Sequence, residues 1–95
     1  MNRREQEDPM INMETGMLAR SKAGHDRGKL YIIIRAEAEY VWVADGRCHT
    51  TANPKKKNKK HIQAIRRTPD KVRTALMSGE PLTDGHIIAG IESES

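Results

Sequence analysis

Two short segments in the first half of the sequence carry apolar side chains on both faces of any strand that they form. Residues 32–34 read Ile-Ile-Ile, and residues 40–43 read Tyr-Val-Trp-Val. Successive side chains of a β-strand point to opposite faces of the sheet, so a sheet built from these segments needs cover on both sides. Only the C-terminal segment offers further apolar side chains in a regular pattern, and we expect it to cover the outer face.

Turn-forming residues divide the chain before residue 67 into short predicted strands. We predict five of them, over residues 17–21, 29–36, 40–44, 47–49 and 61–66. Gly24 and Gly28 favour a tight turn between the first two strands, and Asp45-Gly46 predicts a two-residue hairpin turn. Residues 50–60 hold no apolar side chain larger than alanine and are predicted to form a loop. Five short strands joined in this way predict a small antiparallel barrel.

The pattern changes from strand to helix after residue 67. Thr68 is predicted to cap a first helix, with Pro69 at its first position and Gly79 closing it. Thr83-Asp84 is a second helix start signal. It precedes three isoleucines that share one helical face, namely Ile87, Ile88 and Ile91. The sequence therefore predicts a mainly β fold followed by two short α-helices.

The length of 95 residues allows one compact domain and no second independent core. We divide the chain into a flexible N-terminal tail over residues 1–15, a barrel over 16–67, and a helical extension over 68–92 that packs on the barrel. Hydrophobic residues make up 36% of the chain and charged residues 32%. A core built from so few apolar residues is thin and must use every apolar run.

The sequence also bears on the compartment. No apolar run approaches the ~20 residues that a membrane-spanning helix needs, and the charged N-terminus is unlike a signal peptide. A single cysteine, Cys48, allows no intrachain disulfide, which fits a reducing compartment. We therefore expect a cytoplasmic protein without a membrane partner.

Positive charge is concentrated in one stretch of the chain. The formal net charge is +4, yet residues 46–69 contain 8 basic residues and no acidic one, whereas residues 70–95 contain 2 basic residues and 5 acidic ones. Lysines that neutralise phosphates release condensed counterions, so such a stretch predicts an RNA-binding surface. The simpler alternative is a solvated loop that keeps the protein soluble.

The segment from Gly16 to Lys29, which runs into the three isoleucines, resembles the KOW motif, a strand–turn–strand unit built around a glycine, here Gly28. The similarity continues through residues 40–46, Asn53-Pro54-Lys55-Lys56-Lys57 and Lys60-His61-Ile62. Over residues 16–91 the chain is similar to small bacterial KOW-domain RNA-binding proteins, which are related to a large-subunit ribosomal protein family of archaea and eukaryotes. The resemblance implies an SH3-like five-stranded antiparallel barrel and RNA binding on or near the ribosome.

The predicted RNA-binding surface has two parts. The first is the lysine-rich loop with its basic neighbours: Arg47, Lys55, Lys56, Lys57, Lys59, Lys60, His61, Arg66 and Arg67. The second is the first turn, which contacts RNA in related KOW barrels, and the resemblance implies contacts from Lys22, His25, Arg27 and Lys29. Asp26 is interpreted as a turn former. Because lysine is a flexible point charge, the loop is predicted to supply affinity and little sequence discrimination.

Two aromatic residues allow two interpretations. Trp42 and Tyr40 can stack on unpaired bases, or they can fill the core. The chain has no phenylalanine and one tryptophan, so a thin core needs its largest side chain. We therefore favour core packing for Trp42.

The sequence predicts no catalytic site, no metal site and no cofactor. The 4 histidines are scattered, and no nucleophile is paired with a base at a suggestive spacing. We expect a binding protein and not an enzyme, with ribosomal RNA or the ribosome as its partner. The alternative is a protein-interaction module of the transcription or translation machinery that binds a protein through the C-terminal helices.

Overall fold

The computed structural model describes residues 12–94. Their strands are β1 (Leu18–Ser21), β2 (Leu30–Ala36), β3 (Tyr40–Ala44), β4 (Lys55–Asn58) and β5 (Ile62–Ile65). A short 3-10 helix (Lys59–His61) separates β4 from β5, and two helices follow, α1 (Asp70–Met77) and α2 (Asp84–Glu92). Among these residues, no helix has the length and apolar character to cross a membrane.

The strands form one antiparallel sheet in the order β4-β3-β2-β1-β5. The prediction of a mainly β fold with two C-terminal helices is confirmed. Within the described part of the chain, β4 and β5 are the two edges of the sheet and form no ladder with each other. The 3-10 helix carries the chain from one edge to the other.

The predicted position of the fourth strand is wrong. Residues 47–49 form bends, and the fourth strand is Lys55–Asn58, which was expected to lie in a loop. The Asp45 carboxylate accepts hydrogen bonds from the backbone N–H groups of Arg47 and His49, at 3.0 and 2.9 Å. These bonds replace the expected two-residue hairpin with a wider loop. The lysines then enter the sheet because β3 offers a free edge, which overrides their low strand propensity.

Apolar side chains form one cluster on each face of the sheet. The inner cluster consists of Met17, Ala19, Tyr31, Ile33, Val41, Val43, Ile62 and Ala64. The outer cluster consists of Leu18, Ile32, Ala44, Val72 and Ile87. Neighbouring strand residues thus alternate between the two clusters, as strand geometry requires.

The two helices cover the outer face. Val72 of α1 and Ile87 of α2 are completely buried against β1, β2 and the end of β3. The loop after β3 approaches α2 so closely that a Cβ atom on Gly46 would lie 2.7 Å from a side-chain carbon of Ile88. Gly46 also has a φ of 82°, which favours glycine, so this position fits the loop to the helix in two ways.

Two of the three predicted helix-end signals, Thr83 and Gly79, are confirmed. The Thr83 hydroxyl accepts a hydrogen bond from the His86 backbone N–H, and His86 Nδ1 accepts one from the Thr83 backbone N–H, both at 3.2 Å. The prediction that Thr68 caps the first helix is wrong, because α1 begins at Asp70, one residue later than predicted, with Pro69 at the cap position and no side-chain hydrogen bond to the cap. Gly79, with a φ of 75°, follows its last turn.

The predicted flexible tail lies largely outside the described residues, which begin at residue 12. At its C-terminal end, Met13 packs against the inner cluster. The Thr15 hydroxyl donates a hydrogen bond to the carbonyl of Ile34 at 3.0 Å.

We predict that Ile87→Ala lowers the free energy of unfolding by about 2–5 kcal/mol, because it leaves a cavity between α2 and the sheet. Urea denaturation followed by circular dichroism measures this change. Met77→Ala is the control, since Met77 is 81% exposed and its truncation should stay within about 0.5 kcal/mol. Equal effects of the two substitutions would show that α2 does not contribute to the core.

Candidate nucleic-acid interface

The lysine-rich stretch does not form a single surface. Strand β4 pairs Lys55 with Val43, Lys56 with Trp42 and Lys57 with Val41. Val41 and Val43 belong to the inner cluster, so Lys55 and Lys57 start from the inner face of the sheet. Lys56 points to the outer face. The strand therefore separates the lysines that the sequence analysis grouped together.

Lys57 is buried in a hydrogen-bonding site of its own. Its ammonium group lies 3.0 Å from the Ser21 hydroxyl, 3.2 Å from the Ala23 carbonyl and 3.0 Å from the Asp26 carboxylate. Its side chain is 9% exposed. Lys55 approaches the other oxygen of Asp26 at 3.2 Å. Both lysines thus have a carboxylate partner, and Lys57 has no room for a phosphate.

Asp26 is the centre of this network. It also accepts hydrogen bonds from Ser21 Oγ at 2.8 Å and from the Tyr31 hydroxyl at 2.5 Å. Burial alone would raise the pKa of Asp26, but the bonds from Tyr31, Lys57 and Ser21 outweigh it and hold that pKa well below its ordinary value. Burial and the neighbouring carboxylate raise the pKa of Tyr31 far above the usual tyrosine range. Asp26 is therefore an ionised structural anchor.

The same network shows how strongly the sheet curls. Strand β4 lies three positions from β1 in the sheet, a distance of about 14 Å if the sheet were flat. Yet the Lys57 ammonium group reaches Ser21, the last residue of β1. The sheet therefore bends back on itself around the inner cluster, and the edge strand meets the turn between β1 and β2.

Six of the predicted contact residues lie on two elements that meet where β5 pairs with the end of β1. They are Lys22, His25 and Arg27 from the β1–β2 turn, and Lys59, Lys60 and His61 from the 3-10 helix. We call them the cationic rim. The two elements are joined by a hydrogen bond from the Lys22 N–H to the His61 carbonyl, at 2.8 Å. Within residues 12–94, no carboxylate forms an ion pair with the rim.

The local sequence explains the shape of the rim. Asn58 caps the 3-10 helix, because its side-chain oxygen accepts a hydrogen bond from the Lys60 N–H at 3.0 Å. Gly24 and Gly28 have φ values of 91° and 89°, which lets the turn fold over Asp26. Five of the six rim residues are exposed, and Lys59 is half-buried.

Three other predicted contact residues form ion pairs elsewhere. Lys29 lies 2.5 Å from Asp45, whose pKa is about 2 because bonds from Lys29 and two backbone N–H groups outweigh the effect of burial. Arg47 pairs with Glu92 at 3.3 Å. Arg67 pairs with Glu94 at 2.7 Å. Two carboxylates of the acidic C-terminal segment therefore have arginine partners.

Arg66 and Arg67 lie apart from the rim. The Arg67 carbonyl accepts a hydrogen bond from Leu18 at the start of β1, whereas Lys22 follows the end of β1. The two arginines thus sit at the opposite end of this strand. The structure does not bring them together with the lysines.

The expectation that Trp42 fills the core is wrong. Trp42 is half-buried on the outer face, beyond both apolar clusters formed by the described residues. The inner cluster takes Tyr31 in its place. The sequence indicated this, since Tyr31 and Ile33 are two residues apart in one strand and therefore point to the same face.

Two cations lie over Trp42. The guanidinium carbon of Arg35 is 3.9 Å from the ring centroid, and the Lys56 ammonium group is 5.7 Å from it. Lys56 also lies 4.2 Å from the ring centroid of Tyr40. Arg35 was not among the predicted contact residues, because its position depends on an irregularity in the pairing of β2 with β3.

Comparison with models of known protein families finds no match, and comparison with curated proteins finds none either. Within residues 12–94, no three histidine, cysteine, aspartate or glutamate side chains gather as metal ligands would. The arrangement that the described residues do offer is an unpaired cationic surface, which is suited to binding a polyanion.

We predict that Asp26→Asn lowers the free energy of unfolding at neutral pH by about 3 kcal/mol, because it removes the carboxylate that compensates a buried ammonium group. Chemical denaturation measures the loss. Asp70→Asn is the control, because the Asp70 side chain is 86% exposed and should matter little. If the two variants are equally stable, Asp26 does not anchor the fold.

We also predict that stability falls as the pH drops below about 4. The unfolded chain protonates Asp26 near its ordinary pKa, whereas the folded chain holds that pKa lower. The stabilisation is therefore complete at neutral pH and is lost as the pH falls toward the folded-state pKa. Thermal unfolding across a pH series should show a shallower acid decline for Asp26→Asn than for the unchanged protein. Parallel declines would contradict the prediction.

Proposed function

We propose that this chain is a KOW-type RNA-binding protein that associates with the ribosome and contacts RNA phosphates through the cationic rim. The observation that carries the proposal is the meeting of two basic elements, the β1–β2 turn and the 3-10 helix, whose six rim side chains form no ion pair with a carboxylate of residues 12–94; the turn's own Asp26 is paired with Lys55 and Lys57 of β4. These are the two regions that the sequence analysis selected independently, one from charge and one from the KOW resemblance.

We further propose that the curled sheet is an SH3-like barrel. Support comes from the five antiparallel strands, the enclosed inner cluster and the side-chain link between β4 and the end of β1. In such an arrangement the Asp26 network joins parts of the wall that share no backbone ladder. The network then helps to close the structure while leaving the rim lysines free.

The chemistry of the rim suits a polyanion of regular spacing. Lysine ammonium groups on flexible side chains neutralise phosphates without requiring a fixed geometry. Each neutralised phosphate releases condensed counterions, and the entropy gained by this release favours association at low salt. Such contacts position a protein on RNA and carry little base information. The rim therefore supplies affinity, and any preference for a particular RNA must arise elsewhere.

The placement of the acidic groups also supports the proposal. Asp26 and Asp45 are engaged with buried or half-buried lysines, and Glu92 and Glu94 pair with arginines. Glu39 approaches the rim through its backbone, whose carbonyl accepts a bond from Lys59 at 2.9 Å. It forms no ion pair with any described residue, so the positive potential of the rim persists.

Docking of a protein through the C-terminal helices is less well supported. Ile87 of α2 is fully buried between this helix and the sheet, and Ile91 packs against the outer cluster. Two large apolar side chains of α1 are exposed, Leu76 and Met77. This is a small area compared with the roughly 800 Å² per partner of a standard interface.

We predict that the double substitution Lys59→Gln and Lys60→Gln weakens binding to structured ribosomal RNA and reduces the salt dependence. The slope of log affinity against log salt should fall by about 1.5, since each lost phosphate contact removes about 0.7–0.9. Fluorescence anisotropy titrations over a salt series measure both quantities.

The matched control is the double substitution Lys71→Gln and Arg73→Gln, which removes the same charge from exposed positions on α1. It should leave affinity and slope nearly unchanged. Equal losses in the two double variants would show that net charge, and not the rim, attracts the RNA. Failure of the unchanged protein to co-sediment with ribosomes would contradict the ribosomal part of the proposal.

A further inference from the structure

We infer that the outer face of β2, β3 and β4 is a second RNA contact, a platform on which unpaired bases stack. The platform consists of Arg35, Trp42, Lys56 and Tyr40. This inference rests on the proposed RNA binding and goes beyond it, because it assigns a substrate feature, the exposed base of a single strand, to a surface distinct from the rim.

A β-bulge builds the platform. Strand β2 pairs Ile33 with Val43 and then Arg35 with Trp42, so Ile34 is the extra residue. If β2 paired regularly, without a bulge at Ile34, alternation would turn Arg35 to the inner face beside Ile33. The bulge instead directs Arg35 outward over the Trp42 ring and returns Ala36 to the inner cluster. Bulges often redirect a side chain in this way near functional sites.

The register places three platform residues in one row. Arg35 of β2, Trp42 of β3 and Lys56 of β4 are consecutive cross-strand partners. The helices cover Ile32 and Ala44 farther along the same face, but neither apolar cluster of the described residues includes Trp42. The row thus lies on the part of the outer face that these clusters leave uncovered.

The groups in the row are available to a ligand. The Arg35 side chain is 59% exposed, and its ion pair with Glu37, at 3.4 Å, uses Nε. Among the described residues, no acceptor bonds its two terminal nitrogens. Tyr40 is 37% exposed. The guanidinium group over the Trp42 indole and the partly exposed Tyr40 ring, over one face of which Lys56 lies, are two flat groups on this surface.

Flat surfaces of this kind recognise single-stranded RNA. Unpaired bases stack on aromatic rings and on guanidinium planes, and duplex RNA hides the base faces that such stacking needs. Lys56 lies between Tyr40 and Trp42, where it can meet the phosphate that joins two stacked nucleotides. These contacts tolerate any base, so the platform favours single-stranded RNA over duplex RNA and does not distinguish sequences.

The platform is continuous with the rim. Tyr40 is the cross-strand partner of Asn58, which caps the 3-10 helix of the rim. The carbonyl of the preceding residue, Glu39, accepts a hydrogen bond from Lys59 at 2.9 Å. A strand that leaves the phosphate contacts at Lys59 therefore reaches Tyr40 next. We expect the junction between a duplex and a single strand to fit the two surfaces together.

The competing explanation is that the cations only stabilise the rings within the protein. Cation–π contacts at exposed sites are worth about 0.5–1 kcal/mol. That explanation predicts that substitutions lower thermal stability without changing the preference between single-stranded and duplex RNA. The two explanations therefore predict different effects on the ratio of single-strand affinity to duplex affinity.

The intrinsic fluorescence of the protein reports on the platform, because Trp42 is its single tryptophan. The probes are a short labelled oligoadenylate, the same strand in a duplex with oligouridylate, and inorganic polyphosphate as a polyanion without bases. Label anisotropy measures RNA binding, and Trp42 emission measures contact with the platform. We expect the single strand to quench Trp42, and we expect much less quenching from the duplex or from polyphosphate at equal occupancy.

The variants test the same point through affinity. Tyr40→Leu should weaken oligoadenylate binding by about 5- to 140-fold, as the loss of one stacked base predicts, while duplex affinity changes little. Arg35→Gln should act in the same direction. Its matched control is Arg73→Gln, because Arg73 is also 59% exposed and paired with a nearby carboxylate, and this change should leave both affinities unaltered.

The outcomes are separable. If neither RNA binds by anisotropy, the proposed function fails, and the platform fails with it. If RNA binds but Trp42 is quenched equally by polyphosphate, or if Tyr40→Leu keeps the ratio of the two affinities, the platform is refuted and the rim stands. Selective quenching together with a selective loss in Tyr40→Leu supports the inference.

Discussion

The contact between Asp26 and Lys57 determines how the rest of the structure is arranged. It ties an edge strand to a turn that is three strands away in the sheet. Removing two charges from water costs nearly as much as their attraction returns, so such pairs often contribute more to specificity than to stability. Here Ser21 and Tyr31 donate further hydrogen bonds to the carboxylate, and the contact holds β4 against the turn that carries one half of the rim.

The lysine-rich segment shows how one run of identical residues acquires several roles. Strand geometry sends Lys57 inward to a carboxylate and Lys56 outward over aromatic rings. The change to a 3-10 helix then places Lys59 and Lys60 in the cationic rim. Composition cannot distinguish these roles, because they depend on the phase of the backbone and not on the residue type.

The sequence predicted the parts of the fold that rest on local patterns. The positions of β1, β2 and β3, the cap at Thr83 and the closure at Gly79 all follow from neighbouring residues. Strand β4 was missed because lysine has a low strand propensity and because the partner edge is a long-range feature. The pairing of Asp26 with Lys57 spans 31 residues and leaves no local trace. The prediction for Trp42 was wrong because it rested on the size of the side chain and not on the alternation of side chains along β3.

The position of β4 at an edge of the sheet has a further consequence. An unpaired edge presents backbone donors and acceptors on which a second copy can add a strand, and proteins commonly guard such edges with charge. Three consecutive lysines on this strand give it a positive charge that repels an identical strand. The lysines that hold the fold and line the platform thereby also discourage self-association at the β4 edge, one of the two edges of this sheet.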